Sequence, residues 1–257
     1  MRLCLVLAMA LPALAQHVNF VACPLVRDTK TVPCFLAEYQ GETYFLGIQQ
    51  DITAEFYPPQ LLHEMLVEGT IADGPRVCGG IPLKPLHVSV LPELNRACNT
   101  ILPAEPGIEA PPAKRPAGPS TRRAPVSTSA LPPAKPEPPF TEREFVIQYD
   151  FDSDFLFARN TRQLTDIAEY ARVSKAQTLE VVGYRGSTLL STGNVLIEKA
   201  DVSRLRAKRV AEVLKGLGAP PSAVSWMSEP AAANGAMDYE SRRVAVRIVP
   251  ISKENKP

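Results

Sequence analysis

Short runs of apolar and aromatic residues, divided by turn signals, dominate the first part of the chain. Helical periods appear only in the last part. Pro33–Tyr39 and Thr43–Ile48 each read as strands, and Gln40-Gly41-Glu42 between them has the length and the glycine of a hairpin turn. Leu61–Ile71 is a longer apolar stretch that fits a helix, a strand, or one turned into the other. Ile81–Val90 alternates in part, with Ile81, Leu83, Leu86, Val88 and Val90 apolar. Pro82 and Pro85 push it towards a sheet edge or a bulge. Residues 16–102 are therefore expected to form a small all-β barrel, OB-like or SH3-like, with a core of marginal size.

From Phe145 the pattern becomes regular. Phe145–Phe151 reads as a strand, and Leu164, Ile167, Ala168 and Ala171 share one face of a helix. Thr178–Tyr184 is a second strand. Val202, Leu205, Val210, Val213, Leu214 and Leu217 mark a second amphipathic helix, ended by Gly216 and Gly218. Ala223–Met227 and Val244–Val249 supply two more strands, the last with Val244, Val246 and Ile248 on one face. The order β-α-β-α-β-β over residues 141–250 predicts an α+β sandwich, a mixed sheet with helices packed on one side.

Between these two domains the composition changes: twelve of the 26 prolines fall between Pro103 and Pro139. Such a segment offers little apolar surface to offset the entropy of ordering it, so 103–140 reads as a disordered, polyproline-rich linker and 251–257 as a disordered tail. At the start, Arg2, an apolar run from Leu3 to Leu14 and Ala13-Leu14-Ala15 before Gln16 have the layout of a cleavable secretory signal over 1–15. That run, interrupted by Pro12, is too short to span a bilayer, and no later segment is long and apolar enough either. The box Phe20-Val21-Ala22-Cys23 fits a lipidated cysteine poorly, because polar residues separate it from the apolar run.

The exported chain keeps Cys23, Cys34, Cys78 and Cys98, an even number that suits two disulfides in an oxidising compartment. Short loops favour Cys23 with Cys34 and Cys78 with Cys98, although three pairings remain open. A metal site is not expected: no Cys-x-x-Cys occurs, and His17, His63 and His87 are scattered. Net charge is +1 and basic runs stay short outside Arg204–Arg209, which argues against a nucleic-acid partner.

The second helix and last strand carry a resemblance. Val202-Ser203-Arg204-Leu205-Arg206-Ala207 followed by Val210, and Ser241-Arg242-Arg243-Val244 further on, resemble the signature of the OmpA C-terminal family of peptidoglycan-associated domains. Phe151-Asp152-Ser153 and Gly183-Tyr184 resemble two further segments of that family. The resemblance implies a periplasmic envelope protein of a Gram-negative bacterium, with outer-membrane association as one option. It also implies that Arg206 offers its planar fork to a carboxylate of peptidoglycan, with Ser203, Tyr184 and Arg185 around it.

The family's aspartate after this Gly-Tyr, which receives an ammonium of the wall peptide, is replaced: Arg185 and Gly186 stand there. The loop Ser187–Glu198 is lengthened. One charge-assisted hydrogen bond fewer removes about 1.5–3 kcal/mol, so wall binding is expected to be weak or modified. Glu198 or Asp201 is placed to reach Arg206, a salt bridge being the plainer outcome. Arg242 and Arg243 are expected to cap the last strand through Glu240 or Asp238.

No nucleophile with a base, paired carboxylates, phosphate-cradling glycine loop or metal cluster stands at an informative spacing, so neither an enzyme nor a cofactor is expected. Cys78-Gly79-Gly80 reads as a disulfide at a tight turn. His63 and His87 read as structural, and Phe35, Tyr39, Tyr44, Phe45, Phe56 and Tyr57 as core or as a binding face. Two readings stand: weak wall contact by the OmpA-like domain with an envelope protein partner on the β domain, or a periplasmic assembly module that keeps the fold as a scaffold.

Overall fold

The structure, a computed structural model, describes residues 16–49, 58–112 and 136–250. The signal segment, Phe56, Tyr57, the middle of the proline-rich segment and the tail from 251 lie outside the described residues.

The N-terminal part forms one seven-stranded sheet in the order β1-β5-β6-β4-β3-β2-β7. Its strands are β1 (His17–Ala22), β2 (Pro24–Arg27), β3 (Cys34–Tyr39), β4 (Glu42–Ile48), β5 (His63–Ile71), β6 (Ile81–Leu94) and β7 (Thr100–Leu102). The β3–β4 turn falls where expected but is one residue shorter, Glu42 already pairing with Tyr39: Gln40 (φ 53°) and Gly41 (φ 79°) both sit left-handed, as a two-residue hairpin turn demands. The ambiguous stretch before Ile71 is strand. β6 is not an edge. It lies between β5 and β4, and Pro85 falls in the expected bulge, a register shift opposite Gly69–Ile71.

The sheet curls until Phe20 on β1 stacks on Tyr39 of β3, with ring centroids 4.6 Å apart. Val18, Phe20, Phe35, Ala37, Leu46, Met65 and Val67 fill the concave side. Among the described residues β1 and β7 remain unpaired ends, so the architecture is an open half-barrel and not the closed OB-like or SH3-like barrel expected.

Two disulfides join Cys23 to Cys98 and Cys34 to Cys78. The short-loop pairing is thereby corrected. β2 pairs in parallel with β7, Leu25 opposite Thr100, which places Cys23 beside Cys98. Sheet register overrides the small entropic preference for closing short loops. Cys78 sits in the Val77–Gly80 turn, with Cys78 and Gly79 both at positive φ.

The C-terminal unit follows its predicted order with one addition. β8 (Arg143–Gln148), α1 (Ala158–Val173), β9 (Leu179–Gly183), α2 (Val202–Gly216), β12 (Ser222–Trp226) and β13 (Arg243–Ile248) build a mixed sheet, β12-β9-β13-β8. Between β9 and α2 the lengthened loop folds as a separate hairpin of β10 (Ser187–Leu189) and β11 (Val195–Ile197). Leu164, Ile167, Ala168 and Ala171 of α1 are buried against Ile147, Val181, Val244, Val246 and Ile248. On α2 the core face is Val202, Ala207, Val210 and Leu214, whereas Leu205 and Leu217 are exposed. Serine and arginine occupy the rest of the buried stripe.

The ends of the predicted linker also pack. Ile108 and Ala110 lie on the cluster around Cys34 and Cys78, Glu105 pairs with Arg27 at 3.1 Å, and the Phe140 ring meets Tyr170 edge-on. A few apolar anchors are enough to hold these segments despite their prolines.

The two parts do not hang loosely from a tether; they dock. Asn19, Glu68 and His87 stand in register across β1, β5 and β6, forming a polar row on the convex face of the half-barrel. All three are buried. Glu68 forms an ion pair with Arg242, and Thr188 Oγ1 donates to the same carboxylate at 3.0 Å. His87 stacks on Tyr239 and faces Asp150 at 3.3 Å. Ser89 Oγ accepts from the Phe151 backbone N–H at 2.9 Å. Both faces of β5 are thus covered, one by the half-barrel core and the other by the C-terminal unit.

Candidate functional site

The site begins where β9 runs under the start of α2. A Cβ on Gly183 would lie 2.0 Å from the Ser203 carbonyl oxygen, so only glycine lets helix and strand approach so closely. Ser203, fully buried, donates its hydroxyl to the Met227 carbonyl at 2.8 Å and ties the helix start to the end of β12. Arg206, about one turn further, points inward over the Tyr149 ring, 5.0 Å from its centroid. Burial pushes the Tyr149 phenol well above its ordinary range.

Every N–H of the Arg206 guanidinium has an internal acceptor. Nε donates to the Ser153 carbonyl (2.7 Å). Nη1 donates to the Tyr184 carbonyl (3.1 Å) and Glu198 Oε2 (3.0 Å), and Nη2 to the Asp150 carbonyl (2.9 Å) and Glu198 Oε1 (2.5 Å). Five donors in a rigid fork leave no capacity for another acceptor. The Glu198 carboxylate is filled in the same way, with the Asp152 N–H on Oε1 (2.9 Å) and the Gly186 N–H on Oε2 (2.8 Å) completing its four contacts. Arg206 is 0% and Glu198 1% exposed.

Of the four residues expected to meet a wall peptide, Arg206 and Ser203 are therefore sealed inside. Arg185 is half-buried and turned towards the protein, with Nε on the Ser228 carbonyl (2.8 Å) and Nη1 on the Glu198 carbonyl (2.5 Å). The Tyr184 ring lies half-buried beneath the Arg243 guanidinium. These residues do come together, but around an internal carboxylate. The salt bridge predicted for Arg206 forms with Glu198, while Asp201 turns to Arg204 instead.

A Cβ on Gly186 would stand 2.1 Å from Ser241 Oγ, so the expected aspartate requires that hydroxyl to leave its hydrogen bond to the Asp238 carbonyl (2.7 Å). The Gly186 N–H is also the one that holds Glu198 Oε2. Asp152, in a left-handed conformation (φ 54°), accepts from the Lys199 N–H at 2.7 Å; burial raises its carboxyl above the ordinary value, against the lowering effects of that hydrogen bond and of the Lys199 charge.

Sequence reasoning missed the second arginine. Arg242 does not cap the last strand. It is fully buried in the Glu68 pair, with Thr188 Oγ1 accepting from Nη1 at 3.0 Å. Arg243 does contact the Glu240 carbonyl, at 3.1 Å. The available signal was Glu68 itself, a charge set in the apolar run Met65-Leu66-Val67, where burial requires a partner.

Elsewhere, His63 is hydrogen-bonded to the Leu91 carbonyl and His17 to Thr70. Among the described residues no group of His, Cys, Asp and Glu could hold a metal, and no helix is long and apolar enough to cross a membrane. A cavity of about 220 Å³ at the seam between the two parts is lined by Val90, Asp150, Ser153, Phe155 and Phe157. Of these, Asp150 and Ser153 hold Arg206 through their carbonyls.

No family model matches this chain, and no curated protein matches it. Solved structures do. The OmpA-like domain of FopA1 from Francisella tularensis subsp. tularensis SCHU S4 is 17% identical over 44% of this chain and 77% of its own, with a TM-score of 0.33. The peptidoglycan-associated lipoprotein from Burkholderia pseudomallei is 18% identical over 40% of this chain and 87% of its own, with a TM-score of 0.32. The periplasmic domain of Helicobacter pylori MotB (residues 90–256) is 18% identical over 44% of this chain and 77% of its own, with a TM-score of 0.34. Part of this chain is similar to solved OmpA-like domains, at identities and scores that carry nothing about its ligand.

Proposed function

We propose that this chain is a non-enzymatic, exported cell-envelope protein in which an OmpA-like unit, docked on a disulfide-bonded half-barrel, works as a protein-interaction or assembly scaffold with its carboxylate clamp closed. One observation carries the reading: all five donors of Arg206 are taken up internally, four-way filling of the Glu198 carboxylate completing the seal. Desolvated pairs of this kind do not exchange partners for a solvated ligand without a large penalty. The two disulfides support an oxidising compartment, and the family resemblance supports the periplasm. The partner is expected on the half-barrel or on the exposed strand β12, whose Trp226 and neighbouring Met227 are about half exposed.

The full mature chain, oxidised, decides between this reading and wall contact. Incubated with purified sacculi and pelleted, it is expected to stay in the supernatant. Titrated with meso-diaminopimelate, it is expected to show no amide shift at Gly186 or Asp152. Sedimentation with sacculi, together with shifts at those two amides, would overturn the closed-clamp reading in favour of a wall-binding protein. The C-terminal unit alone is the wrong reagent, because it would expose Arg242 without Glu68.

A further inference from the structure

The seat of Glu198 is a complete carboxylate receptor. Two guanidinium N–H groups of Arg206 and the backbone N–H groups of Gly186 and Asp152 converge on it at 2.5–3.0 Å. The Glu198 backbone is held by its own unit, its N–H on the Gly186 carbonyl (3.2 Å) and its carbonyl under Arg185 Nη1 (2.5 Å), while the chain on both sides of it is held in part by the N-terminal sheet. Upstream, the β10–β11 hairpin is held by Asn19 of β1. Asn19 Nδ2 donates to the Leu189 carbonyl (3.0 Å), its backbone N–H donates to Ser191 Oγ (2.9 Å), and its carbonyl accepts from the Ser191 N–H (2.8 Å). Thr188 on the same hairpin donates to Glu68 of β5. Downstream, Lys199 pairs with Glu93 of β6 at 3.1 Å, an exposed contact that adds little.

The root of the hairpin is tied to its own unit. Ser187 Oγ donates to the Ala231 carbonyl and the Leu189 N–H to Asp238 Oδ2. The part held by the N-terminal sheet is Thr188 and Leu189 of β10 and Ser191 at the tip; the returning strand β11 pairs with β10 and leads directly into Glu198.

We infer that the hairpin is a strap: the docked half-barrel keeps Glu198 seated on Arg206 as an internal occupant, and undocking of that sheet withdraws Glu198 and opens the four donors to a carboxylate from outside. The inference rests on the closed clamp proposed above and adds what would open it. Docking and opening are then linked, because a ligand that takes the receptor must displace Glu198 and loosen the strap, while a partner that takes the convex face of the sheet frees the receptor. The polar row Asn19, Glu68 and His87 is the switch surface on the sheet side.

The test uses the full oxidised chain and variants outside the receptor: Asn19→Ala, the near-isosteric Thr188→Val, and Glu68→Gln. Amide hydrogen exchange is read at Gly186 and Asp152, and modification of Arg206 by phenylglyoxal is read by peptide mapping. Loosening the strap is expected to speed exchange at both amides by about tenfold or more, and to make Arg206 reactive. Faster exchange at Leu190 and Ser191 with Gly186, Asp152 and Arg206 unchanged overturns the coupling. Unchanged rates at all these sites overturn it too, since the sheet then does not hold the hairpin. Should Glu68→Gln fail to fold, Asn19→Ala and Thr188→Val decide. Failure of the closed clamp itself looks different: phenylglyoxal would label Arg206 in the unsubstituted chain.

Discussion

Glu68, within β5, and Arg242, immediately before β13, form a buried ion pair although 174 residues separate them. Arg242 is 0% and Glu68 2% exposed, so neither charge reaches water. Thr188 bridges the two, which makes the contact a three-residue joint between the half-barrel, the hairpin and the last strand. Such a pair adds little net stability over well-packed apolar groups, but loss of one partner strands the other in a dry interior.

Glu68→Ala is accordingly expected to destabilise the oxidised chain by about 3–5 kcal/mol in chemical denaturation. The double variant Glu68→Leu with Arg242→Met is expected to recover most of that loss, because it removes both charges and keeps the volume. A double variant as unstable as the single one would show that the pair is more than mutual compensation.

The same reasoning applies within the closed clamp. Arg206→Ala and Glu198→Ala are each expected to lower stability by about 3–5 kcal/mol, with the double variant far from additive and a coupling of at least about 1 kcal/mol. Additive losses in the cycle would contradict a direct pair.

Reinstating an acid at Gly186 is expected to fail as a route to an open clamp. A Cβ would press on Ser241 Oγ at 2.1 Å and approach Arg242 Cγ at 3.2 Å. Gly186→Ala and Gly186→Asp should both lose about 1–3 kcal/mol by overpacking, and Gly186→Asp should not pellet with sacculi. Since alanine brings the clash without the charge, a loss confined to the aspartate variant would assign the effect to electrostatics.

Asp152 supplies a pH signature. Burial raises its carboxyl above the ordinary value of 3.8, with the Lys199 hydrogen bond and charge opposing. A carboxyl raised in the folded state stabilises the fold at pH below its unfolded value, and that contribution is lost as pH rises through the raised value. Asparagine tolerates the left-handed backbone and keeps an oxygen for the Lys199 N–H. Asp152→Asn should therefore be more stable than the parent at pH 7, with the difference shrinking as pH falls through the raised value and gone below 3.8, in paired denaturation curves at pH 7 and below 3.8.

Much of the C-terminal unit could be read from its sequence, because two helices with an apolar period and strands ending at glycines leave little freedom of register. Arg206, Ser203, Tyr184 and Arg185 were also found together, and Glu198 was one of two acids that spacing allowed. What spacing could not reveal was burial. The same guanidinium reads as an open ligand fork or as a closed pair until the hairpin is folded, and Val195-Leu196-Ile197 is too short to announce a strand. The half-barrel was less legible, since Leu61–Ile71 has no clear period. Its strands are apolar inward and polar outward only until another unit covers the polar face. Glu68 and His87 therefore looked like ordinary residues of their apolar stretches, Asn19 was not placed in a strand, and their partners lie far along the chain.

The loop closed by Cys34 and Cys78 lies wholly inside the one closed by Cys23 and Cys98, with sequence separations of 44 and 75. In the exported mature chain proposed above, threading from the N-terminus presents Cys23 and Cys34 first, and these two are not partners in the structure. Bonds made in order of arrival are wrong bonds. Maturation must either wait until Cys98 has entered or undo early mistakes by thiol exchange, so the yield of correctly bridged protein should depend on the cell's capacity to reshuffle sulfur, not only to oxidise it.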